Sequence, residues 1–108
     1  MEKYHQLADA LLNLEKVMHE VNVWDMPQPS AQALASQHPF CIDTMAFDQW
    51  LRFVMIEKFK PMLAQGTTLP DSSNIAPMAD SFYNGHNDSV KTAIVDALEI
   101  IDVCLNQT

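Results

Sequence analysis

The sequence predicts an all-α domain, a compact four-helix-type up-and-down bundle with short crossover helices and a kinked central helix. Every long apolar pattern has the three- and four-residue spacing of a helix, and none alternates as a β-strand does. The chain has 108 residues, is 48% hydrophobic and contains only two glycines. A chain of this length buries about two-thirds of its unfolded surface. Residues 1–108 are therefore predicted to form a single helical-bundle domain.

The first helix is predicted to begin near residue 3 and to end near Asn22. Its apolar side chains recur in steps of three and four, which makes a narrow seam along one face. Such a seam suits packing against a neighbouring helix at a shallow angle. The members of the seam are Tyr4, Leu7, Leu11, Leu14, Met18 and Val21.

A loop and a short helix are predicted to follow the first helix. Pro27 and Pro29 hold the residues before them in extended backbone, so the stretch that begins at Trp24 is not helical. Ser30 is a typical N-cap for the short helix. This helix is predicted to end by Gln37, because a proline follows at position 39.

The central helix is predicted to be capped by Asp43 or Thr44 and to end at Gly66. Its apolar face rotates by about 120° partway along the helix, on a wheel of 100° per residue. A helix that is apolar nearly all round is buried, and the rotation indicates that it changes neighbours. A kink is predicted at Pro61, because proline removes one backbone hydrogen bond of the helix.

The second long loop is predicted over residues 67–76, and a short helix follows from Met78 to Tyr83, with Pro77 at its first position. Gly85 ends the short helix, and Asp88 is predicted to cap the last long helix. The apolar face of the last helix comprises Val90, Ile94, Ala97, Leu98, Ile101, Cys104 and Leu105.

Two further groups of side chains lie outside that apolar face of the last helix. The acidic group, predicted to be a solvated face, comprises Asp88, Glu99 and Asp102, with Asp96 on the flank. Val95, Ile100 and Val103 are apolar but lie off the main apolar arc. Either the short helices cover these three residues or they belong to a partner surface, and the sequence leaves both alternatives open.

Several motifs resemble those of the YqcC-like family. The run PFCIDT at positions 39–44 is similar to the family's hallmark around the central helix. So are the residues that follow it, Phe47, the run QWL at positions 49–51, and Phe53. The segments PSAQALAS at positions 29–36 and IAPMA at positions 75–79 are similar to its loop and short-helix regions. The resemblance covers nearly the whole chain.

The resemblance implies a four-helix-type bundle of unknown function from gamma-proteobacteria and their relatives. Members of the family are often encoded beside a tRNA pseudouridine synthase, and some carry that enzyme's name. The name does not transfer to this chain. A pseudouridine synthase needs a catalytic aspartate on a larger mixed α/β domain with a basic RNA-binding cleft. This chain has neither the length nor the charge for such a domain.

No catalytic residue, metal site or cofactor is predicted. His38 and Cys41 have a spacing that zinc ligands use, with Asp43 two residues further on, but a second close pair of ligands is missing. A turn that docks Phe40 into the core explains this segment better. Two histidine–carboxylate pairs at four-residue spacing in the first helix are typical of a helix surface. With two glycines the chain also has no glycine-rich phosphate loop.

The charge and the cysteine content argue against a nucleic-acid-binding, membrane-bound or secreted protein. Fourteen acidic against six basic residues leave a formal net charge of −8. This charge argues against direct binding of nucleic acid or of an anionic membrane. No apolar run approaches the ~18 residues of a membrane span, and no secretory signal is recognisable. Cys41 and Cys104 are predicted to be buried, reduced side chains of a soluble cytoplasmic protein.

The predicted function is that of a non-enzymatic protein-interaction or accessory module. An acidic helical domain can dock on a basic partner through charge complementarity. An RNA-modifying enzyme is the partner that the family resemblance suggests. The alternative is a binder of a small molecule or peptide in an apolar cavity between helices.

A candidate partner-binding surface is predicted on the two proline-containing loops. It comprises Trp24, Pro27, Ile75, Pro77 and Met78. Loops that return to a core expose backbone groups and large side chains together, and binding residues concentrate on such loops. The alternative is that all five residues are buried and structural. Trp24 in particular either closes one end of the core or lines a groove.

Overall fold

The computed structural model describes residues 2–85 and 87–106, and these residues form helices, turns and loops without a β-strand. The helices are α1 (Glu2–Glu20), α2 (Ala31–Leu34), α3 (Phe47–Trp50), α4 (Glu57–Gln65), α5 (Ala76–Phe82) and α6 (Asp88–Asn106). A 3-10 turn spans Pro39–Cys41. A π-helical turn, Leu51–Ile56, joins α3 to α4 in one continuous central helix. The predicted all-α fold class is confirmed.

One core lies between α1, the central helix, α5 and α6. Helix α6 packs along α1 and against α5, and α5 also contacts α3. The largest side chains that are fully buried in this core are Leu7, Leu14, Met18, Leu51, Ile56, Ile94, Leu98, Ile101 and Leu105. Burial of one such aliphatic side chain stabilises the fold by about 1.5–3 kcal/mol. In the described parts of the chain no helix is both long and apolar enough to cross a membrane.

Helix α1 ends where the sequence predicts. Asn22 has a φ of 62°, in the left-handed region. The Asn22 backbone N–H donates to the carbonyl of His19, and that of Val23 donates to the carbonyl of Met18. This pair of bonds is a Schellman motif, which satisfies carbonyls at the end of the helix that would otherwise lack partners.

The central helix has a π-helical irregularity before Pro61, which was not predicted from the sequence. The backbone departs from α-helical geometry at Leu51–Ile56, whereas Pro61 lies inside the regular helix α4. Buried residues of the central helix recur every four positions, at Phe47, Leu51, Met55 and Phe59. In an α-helix each step of four rotates the side chain by about 40°. The wider π turn offsets this drift, so the buried residues before and after it face the same core. On a regular α-helical wheel, the same residues look like an apolar face that rotates partway along the helix.

The structure changes two of the predicted helix caps and confirms a third. Ser30 Oγ accepts a hydrogen bond from the backbone N–H of Ala33 at 3.1 Å, so Ser30 caps α2 as predicted. The predicted cap at Asp43 or Thr44 is wrong, because the central helix begins later, at Phe47. The cap of α6 is also shifted by one residue. Asn87 Oδ1, rather than Asp88, accepts the backbone N–H of Ser89 at 2.8 Å.

Asp102 is buried, which corrects its predicted place on the solvated face of α6. Only 8% of its surface is exposed. Its carboxylate accepts hydrogen bonds from Ser73 Oγ at 2.5 Å and from the backbone N–H groups of Ile75 at 3.0 Å and Ala76 at 2.8 Å. A buried carboxylate is tolerated when its oxygens are hydrogen-bonded. Asp102 thus joins α6 to the start of α5.

Candidate functional site

A groove of about 760 Å³ runs along the surface between α1 and α6. We call it the acidic groove. It is lined by Gln6, Asp9, Ala10, Asn13, Asp96, Glu99, Ile100, Val103 and Cys104. The groove exists because Leu7, Leu11, Leu98 and Ile101 turn into the core, which leaves their neighbours in sequence along the rim. The heptad-like seam of α1 therefore positions one wall and the apolar face of α6 positions the other.

The acidic groove has an apolar edge that water contacts. Ile100 is 51% exposed and Val103 is 60% exposed. They lie three positions apart, so they are neighbours on the same face of α6. Ala10 and Cys104 are small and buried, and they form the base of the groove. Ile100 and Val103 therefore form an apolar ridge above a narrow base.

Both walls of the acidic groove carry carboxylates. Asp9 belongs to α1, and Asp96 and Glu99 belong to α6. No basic side chain lines the groove in the part of the chain that the structure describes. No ion pair among the described residues involves these three carboxylates, whereas Lys60 pairs with Glu15 at 3.2 Å. The groove therefore has a concentrated negative potential.

The thiol at the base of the acidic groove is not activated. Burial raises the pKa of Cys104. Its Sγ lies 3.6 Å from the carbonyl oxygen of Lys3, as expected for a thiol that donates to the backbone. A thiol with a raised pKa has little thiolate at neutral pH, so Cys104 contributes packing to the groove rather than a nucleophile.

The three off-face apolar residues of α6 separate into two groups. Val95 is partly buried and packs against the core. Ile100 and Val103 stay exposed. Val95 therefore belongs to the packing of the core, whereas Ile100 and Val103 are accessible to a partner.

A second concave site is smaller and mainly apolar. This cavity, which we call the apolar cavity, has a volume of about 240 Å³ and lies between the 3-10 turn, α3 and α5. Its lining consists of Phe40, Ile42, Met45, Ala46, Phe47, Met78, Ser81 and Phe82. The Phe40 ring packs edge-on against Trp50, with a centroid separation of 4.8 Å. One or two apolar groups of a ligand would fill the apolar cavity.

The backbone beside the apolar cavity is strained. Phe40 and Cys41 have φ angles of 58° and 50°, and non-glycine residues rarely occupy this left-handed region. The following turn is held by Ser36, whose Oγ donates to Asp43 Oδ1 at 2.5 Å. This hydrogen bond, more than the nearby His38, lowers the pKa of Asp43. The predicted docking of Phe40 into the core is confirmed in part, since the ring is half-buried against it.

His38, Cys41 and Asp43 do not assemble into a metal site. His38 Nε2 lies 3.7 Å from Asp43 Oδ2, and both side chains are exposed. Cys41 is buried. Across residues 2–85 and 87–106, no three potential metal ligands lie close enough together to hold an ion.

The predicted surface residues of the first loop lie against the central helix. Trp24 is half-buried and stacks on His19 with a centroid separation of 4.7 Å. The Arg52 guanidinium lies 4.3 Å from the centre of the Trp24 ring and donates to the Trp24 carbonyl. Pro27 is exposed, and its carbonyl accepts from Gln49 Nε2 at 3.1 Å. Trp24 therefore has both a core-facing side and a solvent-facing side.

The predicted surface residues of the second loop are divided between different environments. Ile75 is a buried core residue. Pro77 is exposed and borders a groove between α5 and α6. Met78 is half-buried and lines the apolar cavity. Of the five predicted residues, Ile75 has little surface to offer a partner, whereas Pro77 and Met78 lie beside concave sites.

The acidic groove itself was not predicted from the sequence as a site. The sequence identified the acids of α6 and the off-face Ile100 and Val103 separately. The missing information was that α1 places Asp9 opposite them. A signal was present, because Asp9 lies two positions after the seam residue Leu7 and therefore off the buried stripe.

Comparison with known proteins places the chain in a family. The DUF446 family, described as tRNA pseudouridine synthase C, matches residues 6–104. An uncharacterised protein of Haemophilus influenzae is 32% identical over 84 residues, which cover 78% of this chain and 79% of that protein. The uncharacterised protein YqcC of Escherichia coli K12 is 31% identical over 77 residues, 71% of each chain.

A third relative is much longer than this chain. A Pectobacterium carotovorum protein named tRNA pseudouridine synthase C is 29% identical over 72 residues, which are 67% of this chain but 19% of that protein. No solved structure matches the chain. Because the family match spans nearly all of the described residues and two relatives align over most of their own length, the chain belongs to the DUF446 family, whose function is unknown.

Proposed function

We propose that this protein is a non-enzymatic interaction module that binds a partner protein with a positively charged surface. The acidic groove is the observation that carries the proposal. Contiguous exposed apolar surface with a polar rim is typical of protein-interaction sites. Here Ile100 and Val103 supply the apolar part, and carboxylates without an ion pair among the described residues supply the rim.

A tRNA-modifying enzyme is the proposed partner. The longer Pectobacterium relative bears the name of such an enzyme, and this chain matches 19% of it. About four-fifths of that relative therefore lies outside the match, which is room for a further domain. A domain found joined to a second domain in one protein is a candidate for binding that domain when the two are separate chains. Proteins that bind RNA present Lys and Arg to the phosphates, which is the charge that the acidic groove complements.

The proposed module has no catalytic role of its own. Its net charge of −8 opposes binding of tRNA. The groove presents carboxylates beside a thiol of raised pKa, with no pairing of a nucleophile and a base among the lining residues that the structure describes. We also propose a cytoplasmic location, which the two free cysteines support.

Co-purification at two salt concentrations tests the proposal. Tagged protein from its native host is expected to retain a tRNA-modifying enzyme at about 0.1 M salt and to release it at about 1 M, where the Debye length falls to about 3 Å. Loss of the same enzyme at both salt concentrations contradicts the proposed partner. Conversion of uridine to pseudouridine in tRNA by the purified chain alone contradicts the non-enzymatic role.

The apolar cavity supports a second candidate function, the binding of a small molecule or a single apolar side chain of a peptide. Ligand sites are concave, mostly apolar and carry a few polar groups. The apolar cavity fits this description with Phe40, Phe47, Met78 and Phe82 around Ser81. Native mass spectrometry of the purified protein separates the two functions. A bound ligand of fixed mass supports the cavity as a binding site, and its absence contradicts that second candidate function.

The loop surface of Trp24, Pro27, Ile75, Pro77 and Met78 remains a proposed partner-binding surface. Trp24 supports it, because a half-buried aromatic ring with few rotatable bonds is a frequent hot-spot residue. Pro77 and Met78 support it through their positions beside concave sites. Ile75 would act in it only by supporting the loop from within the core.

A further inference from the structure

We propose that the acidic groove binds a basic amphipathic helix of the partner, which lies lengthwise between α1 and α6. This inference rests on the proposed function and specifies the chemistry of the segment that the partner supplies. The argument depends on the shape of the groove, the position of its apolar residues and the distribution of its charges.

The shape of the acidic groove fits a helix. Its walls run from Gln6 to Asn13 on α1 and from Asp96 to Cys104 on α6. At 1.5 Å per residue these stretches span about 10–13 Å, which is about two helical turns. Two helices packed side by side leave a furrow that accepts a third helix by ridges-into-grooves packing. The small side chains of Ala10 and Cys104 at the base allow close approach.

Other peptide conformations fit the acidic groove poorly. An extended strand gains most of its affinity by pairing with a sheet edge, and the described residues contain no strand. A polyproline segment docks between aromatic rings, and none of the described residues that line the groove is aromatic. A helix needs neither feature, because it satisfies its own backbone and presents only side chains.

The apolar and charged residues specify which helix fits. Ile100 and Val103 are exposed along the α6 wall of the groove, so the occupant must present an apolar stripe to them. Asp9 flanks the groove on α1, whereas Asp96 and Glu99 flank it on α6. Lys or Arg is therefore expected on both sides of the apolar stripe of the occupant. Charge pairs at such a rim mainly accelerate association and select the partner.

The same charges disfavour two other occupants. A second copy of this chain carries the same net charge of −8 and the same acidic groove, so two copies repel. RNA would place its phosphates against three carboxylates, which is unfavourable.

A peptide titration tests the proposal on the full chain. The probe is a synthetic helical peptide of about 18 residues, since shorter helices are marginal in water. Leucine repeats along it at three- and four-residue spacing, and Lys and Arg lie on both flanks. A scrambled peptide of the same composition keeps the charge but has no stripe. Binding is followed by NMR chemical shifts of the labelled protein and by fluorescence anisotropy.

The expected result is binding of the amphipathic peptide at least about tenfold tighter than of the scrambled one, a difference of about 1.4 kcal/mol. The shifted resonances are expected to map to the groove residues of α1 and α6. Equal binding of both peptides overturns the proposal, because charge alone would then account for it. So do shifts that map to the apolar cavity or to the loop surface, and so does absence of binding.

Two groove variants and a charge-matched control separate the apolar and electrostatic contributions. Ile100→Ser with Val103→Ser removes the apolar ridge, and Asp96→Lys with Glu99→Lys reverses the charge of one wall. Each pair is expected to weaken peptide binding at least about tenfold. Glu20→Lys with Asp25→Lys makes the same charge change at exposed positions outside the groove and is expected to weaken it less than about threefold. Equal weakening by the control pair contradicts the groove as the site.

The partner enzyme gives a separate readout. Failure of the wild-type chain to capture any tRNA-modifying enzyme contradicts the proposed function. If both groove variants capture that enzyme as efficiently as the wild type does, the proposed function is unaffected. The proposal that the acidic groove binds a helix of the partner is then contradicted. The mutated side chains are exposed, so the circular dichroism spectrum and Tm of both variants are expected to match those of the wild type.

Discussion

The Asp102 carboxylate in α6 accepts a hydrogen bond from the backbone N–H of Ala76 at 2.8 Å, where α5 begins. Ile75, the residue before the helix, has no side-chain oxygen to act as an N-cap, and Pro77 has no backbone N–H. Asp102 therefore accepts hydrogen bonds at the N-terminus of α5, a function that a local Ser, Thr, Asp or Asn side chain performs at most helix starts. It also holds Ser73 Oγ, at 2.5 Å, and so fixes the end of the second loop.

Replacement of Asp102 by alanine is expected to destabilise the fold by about 2–4 kcal/mol. The change leaves two buried backbone N–H groups without acceptors, and each unsatisfied group costs about 1–3 kcal/mol. Urea unfolding followed by circular dichroism measures the loss. Asp96→Ala on the exposed side of the same helix is the matched control and is expected to change stability by less than about 0.5 kcal/mol. Equal stability of the two variants would show that Asp102 is not a cap.

Two adjacent leucines in α1 provide a direct test of the core. Leu11 is 5% exposed, whereas Leu12 is 64% exposed. Leu11→Ala is expected to lower the free energy of unfolding by roughly 2–5 kcal/mol, because it removes buried methyl groups and leaves a cavity. Leu12→Ala is expected to change it by less than about 0.5 kcal/mol. Similar values for the two variants would show that the seam of α1 does not face the core.

The hydrogen bond between Ser36 and Asp43 predicts a pH effect of known sign. Ser36 Oγ donates to the carboxylate and, as the largest cause, lowers the pKa of Asp43. A carboxyl group whose pKa is lowered by folding stabilises the fold above its unfolded pKa, near 3.8, and this contribution is lost as the pH falls through the folded value. In an NMR titration, Ser36→Ala is expected to raise the pKa of Asp43 towards 3.8. An unchanged pKa would assign the shift to other groups.

The helices were predictable from the sequence because each is encoded locally. The α1 seam, the Ser30 cap and the stop at Gly66, whose φ is 65°, follow from apolar spacing and from residue types at helix ends. The π turn was visible only indirectly, as a rotation of the apolar face. Proline at position 61 is a strong local signal for a kink, whereas no single residue type marks the π turn at Leu51–Ile56.

The role of Asp102 was not predictable from α6 alone, because a carboxylate near other acids usually belongs to a solvated face. The signal lay in the other helix, since the start of α5 has no side-chain cap of its own. The acidic groove was missed for the same reason. It requires residues of α1 and α6, which are about 90 positions apart in sequence, to meet across one surface. Long-range pairings of this kind are a property of the packing and not of any local pattern.

The loop surface is tested by placing a charge at each of its two half-buried large side chains, Trp24 and Met78. Trp24→Glu removes a ring that stacks on His19 and lies under Arg52, and Met78→Glu introduces a carboxylate at the wall of the apolar cavity. Both side chains are half-buried, so each variant is expected to stay folded with a lower Tm. Each is also expected to reduce capture of the native partner, because an anchor residue of an interface is lost.

A matched control distinguishes an effect on binding from an effect of added charge in a loop. Thr68→Glu places the same charge at an exposed position of the second loop and is expected to leave both Tm and partner capture unchanged. Retention of every native partner by folded Trp24→Glu and Met78→Glu would remove this surface from consideration. If both variants unfold while Thr68→Glu stays folded, Trp24 and Met78 belong to the core. A half-buried side chain tolerates a charge only when its charged end can reach water.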